Sequence, residues 1–346
     1  MFFHSPFHCP MSLNRKKNIP FLLFLLLLLL ITAVFSLLIG RFDISIRECF
    51  GILFSKIFPI EPFWTKVQHN MLVLVRLPRV IIAILVGASL AVAGTSYQCI
   101  FRNPMCAPDI LGASTGAAFG ASLAILLGKS NMTITMWAFL SSMACVLLVL
   151  FVSRFCRGNQ ILNLILAGIM VGSLFSAGNS YIKMIADPNN VLPAITYWLM
   201  GSLSGADTKK MSYIWIPLLI GMVPIFLLRW KINILTLDEE EARTMGINTR
   251  LTRTVVILAA TLLTAASVSV SGIIGWVGLV MPHIARKFVG DDCRVLIPAS
   301  ALIGGIFLLL VDDLARNLYT IELPLGILTS LIGAPFFLYL MIRRRE

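Results

Sequence analysis

Ile19-Pro-Phe-Leu-Leu-Phe-Leu-Leu-Leu-Leu-Leu-Leu-Ile-Thr-Ala-Val-Phe-Ser-Leu-Leu-Ile-Gly40 is a run of 22 residues without a charge. An apolar run of about 18 or more residues reads as a helix that spans a bilayer. Arg15, Lys16 and Lys17 precede the run. A basic start and an apolar stretch also resemble a secretory signal peptide, but no A-x-A-like cleavage site follows. The segment therefore reads as a retained first span, with its basic cluster held in the cytoplasm.

Comparable blocks recur along the chain. Ten spans are expected, at 19–40, 80–99, 107–127, 132–153, 160–182, 212–229, 251–270, 272–289, 297–318 and 324–342. The fold class is accordingly an all-α polytopic membrane protein. Of 346 residues, 58% are hydrophobic and only 13% charged, where a soluble domain carries about a quarter charged residues. Mean hydropathy is +0.91. The net charge of +12 would suggest nucleic acid in a soluble protein. Here the basic residues sit mostly between apolar blocks, and no basic stripe interleaves with aromatics. Seven cysteines lack C-x-x-C spacing, and Cys99, Cys145 and Cys156 read as small apolar residues in or beside the spans.

Alternating spans that start inside place both termini in the cytoplasm. That arrangement puts 17 of the 28 basic residues inside, the sense the positive-inside rule requires. The main violation is the outer segment 41–79, which holds six basic residues, Arg76 and Arg79 among them. Charges that oppose topology have another task. The same segment carries Phe50, Phe54, Phe58, Phe63 and Trp64 and is expected to hold an interfacial helix. A second outer segment, 183–211, has the turn signal Asp187-Pro-Asn-Asn190. A short helix over 194–200 follows, with Tyr197 and Trp198 at headgroup level. Glycines at 112, 116 and 120, at 168 and 172, and at 272, 275 and 278 are spaced to let helices approach closely.

Chemistry is sparse. Gly128-Lys-Ser130 lacks the upstream glycine of a phosphate loop, because position 123 is Leu. No other segment supplies such a loop, so the chain is not expected to hydrolyse ATP. The four histidines, His4, His8, His69 and His283, have no metal-ligand spacing. Asp312 and Asp313 lie in an apolar run with Arg316 four and three residues on, which puts an acid and the arginine on one helix face. That pattern reads as local neutralisation or as acids orienting Arg316 toward an outside partner. The loop 231–250 has start and stop signals. Thr236 with Glu239 resembles a capping box, and Asp238 to Glu241 complement a helix dipole. Leu237, Ala242 and Met245 can share an inward face, Gly246 is a helix stop, and Asn248 or Thr249 can cap the next span. A docking helix is the expectation.

These segments together resemble a known family. Arg76-Leu-Pro-Arg79 is followed by Val86-Gly-Ala-Ser-Leu-Ala-Val-Ala-Gly94, Gln98, Asn103-Pro104, Pro108, Leu111-Gly112 and Ser114-x-Gly116. Then come Tyr197-Trp-x-Met-Gly201, Gly275-x-x-Gly-Leu-Val-x-Pro-His-x-x-Arg286, Glu322-Leu-Pro-x-Gly326 and Gly333-Ala-Pro335. Residues 70 to 342 resemble the iron-siderophore, haem and vitamin B12 permeases of bacterial ABC importers, the FecCD/BtuC-like family. The resemblance implies a type II ABC importer permease fold of ten helices in the cytoplasmic membrane. It divides the chain into a cytoplasmic tail at 1–18 and one permease domain at 19–346, with a cytoplasmic coupling helix at about 236–247.

The resemblance also implies partners: a second permease subunit, two ATPase subunits and an extracytoplasmic solute-binding protein. Arg76, Arg79 and Arg316 match the outer-rim arginines that meet glutamates of the binding protein. Leu237, Asp238, Glu239, Glu240, Glu241, Ala242, Arg243 and Gly246 match the ATPase-coupling element. Asp238 stands where many members have glycine. No catalytic residue, metal or cofactor is implied in this chain, since ATP and magnesium belong to the partner subunits. The implied cargo is an iron chelate or a cobalamin-type solute. A secondary transporter working alone would instead show buried acids or broken helices in paired positions. An intramembrane enzyme would need a nucleophile, base or metal ligands that converge. A permease for bare metal ions would show inward-facing histidines and carboxylates.

Overall fold

The apolar blocks become helices, and the chain reverses where proline, glycine and charge interrupt them. The computed structural model describes residues 15–40, 42–55, 58–59, 61–237, 239–319 and 321–343. Among them the regular structure is helical, joined by turns and short irregular segments. First come α1 (Arg15–Leu38), a short α2 (Ile46–Phe54), α3 (Lys66–Asn70), a π-helical stretch Met71–Arg76, and α4 (Leu77–Ile100). Next are α5 (Ala113–Leu126), α6 (Asn131–Ser153), α7 (Gln160–Ile185), α8 (Val191–Leu199), α9 (Thr208–Ile234) and α10 (Glu239–Thr244). The last are α11 (Thr249–Ser271), α12 (Val277–Val289), α13 (Cys293–Asn317) and α14 (Leu325–Arg343).

Among the described residues, seven helices are long and apolar enough to cross a membrane. They correspond to the expected first, second, fourth, fifth, sixth, seventh and ninth spans. Of the other three expected spans, the tenth is α14, at 19 residues as long as expected, and the third and eighth appear as shorter elements. Residues 101–112 form successive turns around Pro104 and Pro108, so the third begins only at Ala113. The eighth loses its first turn because residues 272–276 are not helical, and α12 has 13 residues. Gly272 at φ 68° and Trp276 at φ 68° bracket this break. The second span starts earlier than expected, because α3, the π stretch and α4 run on as one 35-residue helix, Lys66–Ile100. Its charges at 66, 76 and 79 hide that helix from an apolar window.

The helix expected in segment 41–79 is α2. Ser45 and Glu48 cap it reciprocally, and Gln68 on α3 donates to the Glu48 carboxylate at 2.8 Å. Backbone and side-chain bonds from Ser45, then the bond from Gln68, hold the Glu48 carboxyl below its ordinary range. Phe50 and Phe54 remain exposed, with ring centroids 6.2 Å apart. The short helix expected over 194–200 is α8, with Tyr197 exposed.

α4 is the central helix and packs against α13, α11, α12 and α9. Small residues make this possible. A β-carbon at Gly94 would lie 1.8 Å from the Gly278 carbonyl oxygen of α12, so α4 and α12 meet backbone to backbone. Tyr97 bonds Thr261 of α11 at 2.8 Å and thereby satisfies its buried hydroxyl. Outer helices instead expose apolar faces: Leu23, Phe24, Leu27 and Leu30 on α1, and Ile216, Leu219, Ile220, Val223 and Leu227 on α9. Such faces suit lipid rather than water.

Candidate functional site

The chain's few charges gather at opposite ends of α4 and α13. At the first end, the Arg76-Leu-Pro-Arg79 motif enters α4 and faces the last turn of α13. Arg79 Nε donates to Asp312 Oδ2 at 3.0 Å and Oδ1 at 3.2 Å, and Nη2 donates to Oδ1 at 2.9 Å. Its Nη1 and Nη2 also donate to Glu322 Oε1 and Oε2 at 2.9 and 3.0 Å. One guanidinium is therefore clamped between two carboxylates, the geometry in which arginine binds most strongly. Arg316 lies 3.3 Å from Asp312 and also bonds Asp313 and Ser36. Ser36 of α1 donates to Asp313 at 2.6 Å. Arg76 instead donates to the carbonyls of Leu37, Leu38 and Phe42, at the end of α1.

These groups sit at low dielectric. Relative exposure is 4% for Arg76, 6% for Arg79, 8% for Arg316 and 0% for Asp312. Removing one partner of an ion pair so placed typically costs about 3–5 kcal/mol. The cluster is not fully satisfied, since Arg316 Nε and Asp313 Oδ2 are buried without a hydrogen bond among the described residues. The three arginines singled out in the sequence are thus brought to one place, around an open cavity of about 290 Å³ that Glu322 also lines. They are folded inward onto the chain's own acids and carbonyls rather than left on a bare rim. The i, i+4 and i, i+3 pairs of Arg316 with Asp312 and Asp313 form as their spacing requires. The sequence reading assigned no role to Glu322, 243 positions from Arg79. Its signals are its place at the head of the Glu322-Leu-Pro-x-Gly326 motif and its position as a lone acid at the start of an apolar run.

Behind Glu322, the end of α11, the start of α14 and the segment after α8 lock together. Leu325 N donates to Gly201 O at 2.9 Å, Gly326 N to Met200 O at 3.0 Å, and Ser202 N to Ser271 O at 2.7 Å. The glycine motifs near 201, 272 and 326 thus form one node joining α8, α11 and α14. Beside it lies an open cavity of about 470 Å³, lined by Met200, Ile273, Gly326 and Leu331 among others.

At the other end, the expected docking helix is α10, Glu239–Thr244, shorter than the 236–247 anticipated. Asp238 lies outside the described residues. The Thr236 hydroxyl donates back to Asn233 O at 2.7 Å and closes the end of α9, while the Glu239 side chain, the other half of the expected capping box, lies outside the described residues. Ala242 is fully buried against Ile234 and Ile247, with Leu237 packed on them. Met245, expected to share that inward face, is 51% exposed. Gly246 stops the helix at φ 75°, and Asn248 caps α11 by accepting from Leu251 N at 3.0 Å. Glu240, Glu241 and Arg243 are exposed.

Two contacts hold the segment that leads into α10, and a third joins α4 to α12. Arg102, just past α4, donates to the carbonyls of Leu235 and Leu237. Asn233 accepts from Cys293 N, the first residue of α13, at 3.0 Å. Gln98 on α4 accepts from Arg286 on α12 and donates to Leu279 O at 3.3 Å. Among the described residues, no cluster of three or more His, Cys, Asp or Glu side chains is arranged to hold a metal.

The FecCD transport family matches residues 28–343. The chain is 41% identical over 324 residues to the molybdate import system permease MolB of Haemophilus influenzae, covering 93% of this chain and 96% of that one. It is 44% identical over 271 residues to a probable iron chelatin transport system permease of Helicobacter pylori, covering 78% and 82%. A solved structure of a metal-chelate type ABC transporter in an inward-facing conformation superposes with a TM-score of 0.84 at 40% identity, covering 94% and 99%. With a helical bundle whose charges sit at its ends and a family match over nearly its whole length, the chain belongs to the FecCD transport family, as an integral, multi-pass permease subunit of an ABC importer and not an enzyme.

Proposed function

We propose that the chain carries an iron chelate, or a cobalamin-type solute, across the bacterial cytoplasmic membrane. In this reading α5, α12 and α14 complete ten spans, and both termini lie in the cytoplasm. A second permease subunit, two ATPase subunits and an extracytoplasmic binding protein complete the machine. Carboxylates of the binding protein dock at Arg76, Arg79 and Arg316. The segment 237–246, around α10, engages the ATPase.

One observation carries the reading: the arginine cavity and α10 are attached to opposite ends of the same two helices. α4 bears Arg79 near its start and leads into Arg102 at its end, while α13 starts at Cys293 and bears Arg316 in its last turn. The exposed face of α7 supports a partner helix beside it. It mixes Ser173, Ser176 and Ser180 with Met170 and Met184, whereas α9 exposes an apolar face. Ser173 and Ser180 donate back to Ile169 O and Ser176 O of their own helix at 2.8 and 3.0 Å, so this face is small and only mildly polar, a surface that suits close approach of a partner helix. Transport then follows as a population shift, because nucleotide states of the ATPase contact α10 differently.

The similarity to a molybdate permease favours a second cargo reading, a small oxyanion. Uptake of labelled ferric siderophores, haem, cobalamin and molybdate by a deletion strain, with and without this gene, decides between them. Restored uptake of a chelate alone supports the first reading. Restored molybdate uptake alone replaces it. Charge reversal of Arg76, Arg79 and Arg316 together should abolish binding-protein docking and uptake while the complex still assembles. Unchanged docking would remove the arginines from the interface.

A further inference from the structure

A docking carboxylate meets a problem at this cavity. Three arginines line it or face it, but three carboxylates of the same chain, Asp312, Asp313 and Glu322, already offset them. Arg79 has no vacant fork: its Nε side holds Asp312 and its outer edge holds Glu322 through both oxygens. The two acids are not equivalent. The Asp312 side chain is fully buried between Arg79 and Arg316, whereas that of Glu322 is 34% exposed at the open edge. Moving Asp312 would strand two buried cations. Moving Glu322 outward returns a carboxylate to water and leaves Arg79 with its inner partner.

We infer that Glu322 is a resident stand-in for the partner's carboxylate: it occupies the outer fork of Arg79 in the undocked chain and is exchanged when the binding protein arrives. The inference rests on the docking role proposed for the arginines and adds the residue that sets their affinity. The exchange swaps one carboxylate for another on the same guanidinium, so no buried charge is created or lost. Its consequence lies behind the exchanged group. Glu322 is three residues from Leu325 and four from Gly326, whose amides hold the Gly201 and Met200 carbonyls. Leu323 N also donates to Ala315 O at 3.2 Å. Releasing Glu322 frees one tether of the α13–α14 connection at the node that joins α8, α11 and α14. Glu322 is thus a positioning residue that opposes docking and holds this node in the resting chain.

The test uses the assembled transporter and its binding protein. Glu322→Gln keeps the shape but weakens the hold on Arg79, so docking should tighten roughly five- to tenfold in Kd. ATPase activity without binding protein should rise, because the tether is loosened. The same change in an Arg79→Gln background should have no effect on Kd. Glu322→Ala serves as the second variant and should shift Kd in the same direction. Unchanged or weaker docking by both Glu322 variants overturns the inference, as does tightening that survives loss of Arg79. If both Glu322 variants leave docking unchanged while reversal of the three arginines abolishes it, the arginines stay in the interface and only the stand-in role fails. If the reversal also leaves docking intact, both readings fail together.

Discussion

A β-carbon built at Gly94 would sit 1.8 Å from the Gly278 carbonyl oxygen and 2.6 Å from its carbon. Those are backbone atoms that no rotamer change can move aside. Gly94→Val should therefore push α4 and α12 apart and lower stability by about 1–3 kcal/mol, read as a reduced Tm of the detergent-solubilised protein. Gly275→Ala, where nothing lies within 4 Å, should melt like the parent. The glycine spacing announced close contact in the sequence, but not which helix faced which. The arginines illustrate the same limit. Their positions against the topology marked Arg76 and Arg79 as special. Only folding reveals that Asp312 and Glu322 stand beside Arg79, because pairing over 233 and 243 positions leaves no local pattern.

At the scale of one element, α10 shows how far local signals reach. Gly246 and Asn248 end α10 and begin α11 as their residue types suggest, because both act on backbone groups a few positions away. The Thr236 hydroxyl also donates to Asn233 O and so closes the end of α9, a bond to the preceding turn that the capping pattern did not signal. Gly246→Pro demands a φ near −65° where the chain has 75°, and it removes the amide that bonds Arg243 O at 2.9 Å. The coupling segment should lose its fixed end. ATPase activity of the complex should persist but no longer rise with loaded binding protein, while Gly246→Ala, strained by about 1 kcal/mol, keeps most of the response. Full stimulation in the proline variant would count against the coupling role. Reversing charge by Glu240→Lys should likewise blunt the response. The early start at Lys66 and the break at 272–276 escaped the sequence for a different reason. Hydropathy averages over a window, so a charged first turn looks like loop and a short apolar break looks like helix.

Across the whole molecule, the ten-span topology makes a labelling prediction. Cys156, the exposed free cysteine among the described residues, follows α6 on the side assigned to the cytoplasm. Lys129 lies exposed in the turn before α6, on the opposite side. In a Cys9→Ser background, a membrane-impermeant maleimide should label Lys129→Cys in intact spheroplasts and Cys156 only after permeabilisation, with the further Cys156→Ser change as the blank. The reverse pattern would invert the topology and place α10 outside. The α4–α13 pair has a wider consequence. Each helix is about 36 Å long at 1.5 Å per residue, and the two are pressed backbone to backbone where Gly87 meets the Gly304 carbonyl. A strut braced at mid-length resists bending, so a push at one end arrives at the other as a tilt and hardly as a ripple. In the proposed docking scheme, news of a docked cargo would then cross the membrane without any side chain along the way having to change partners.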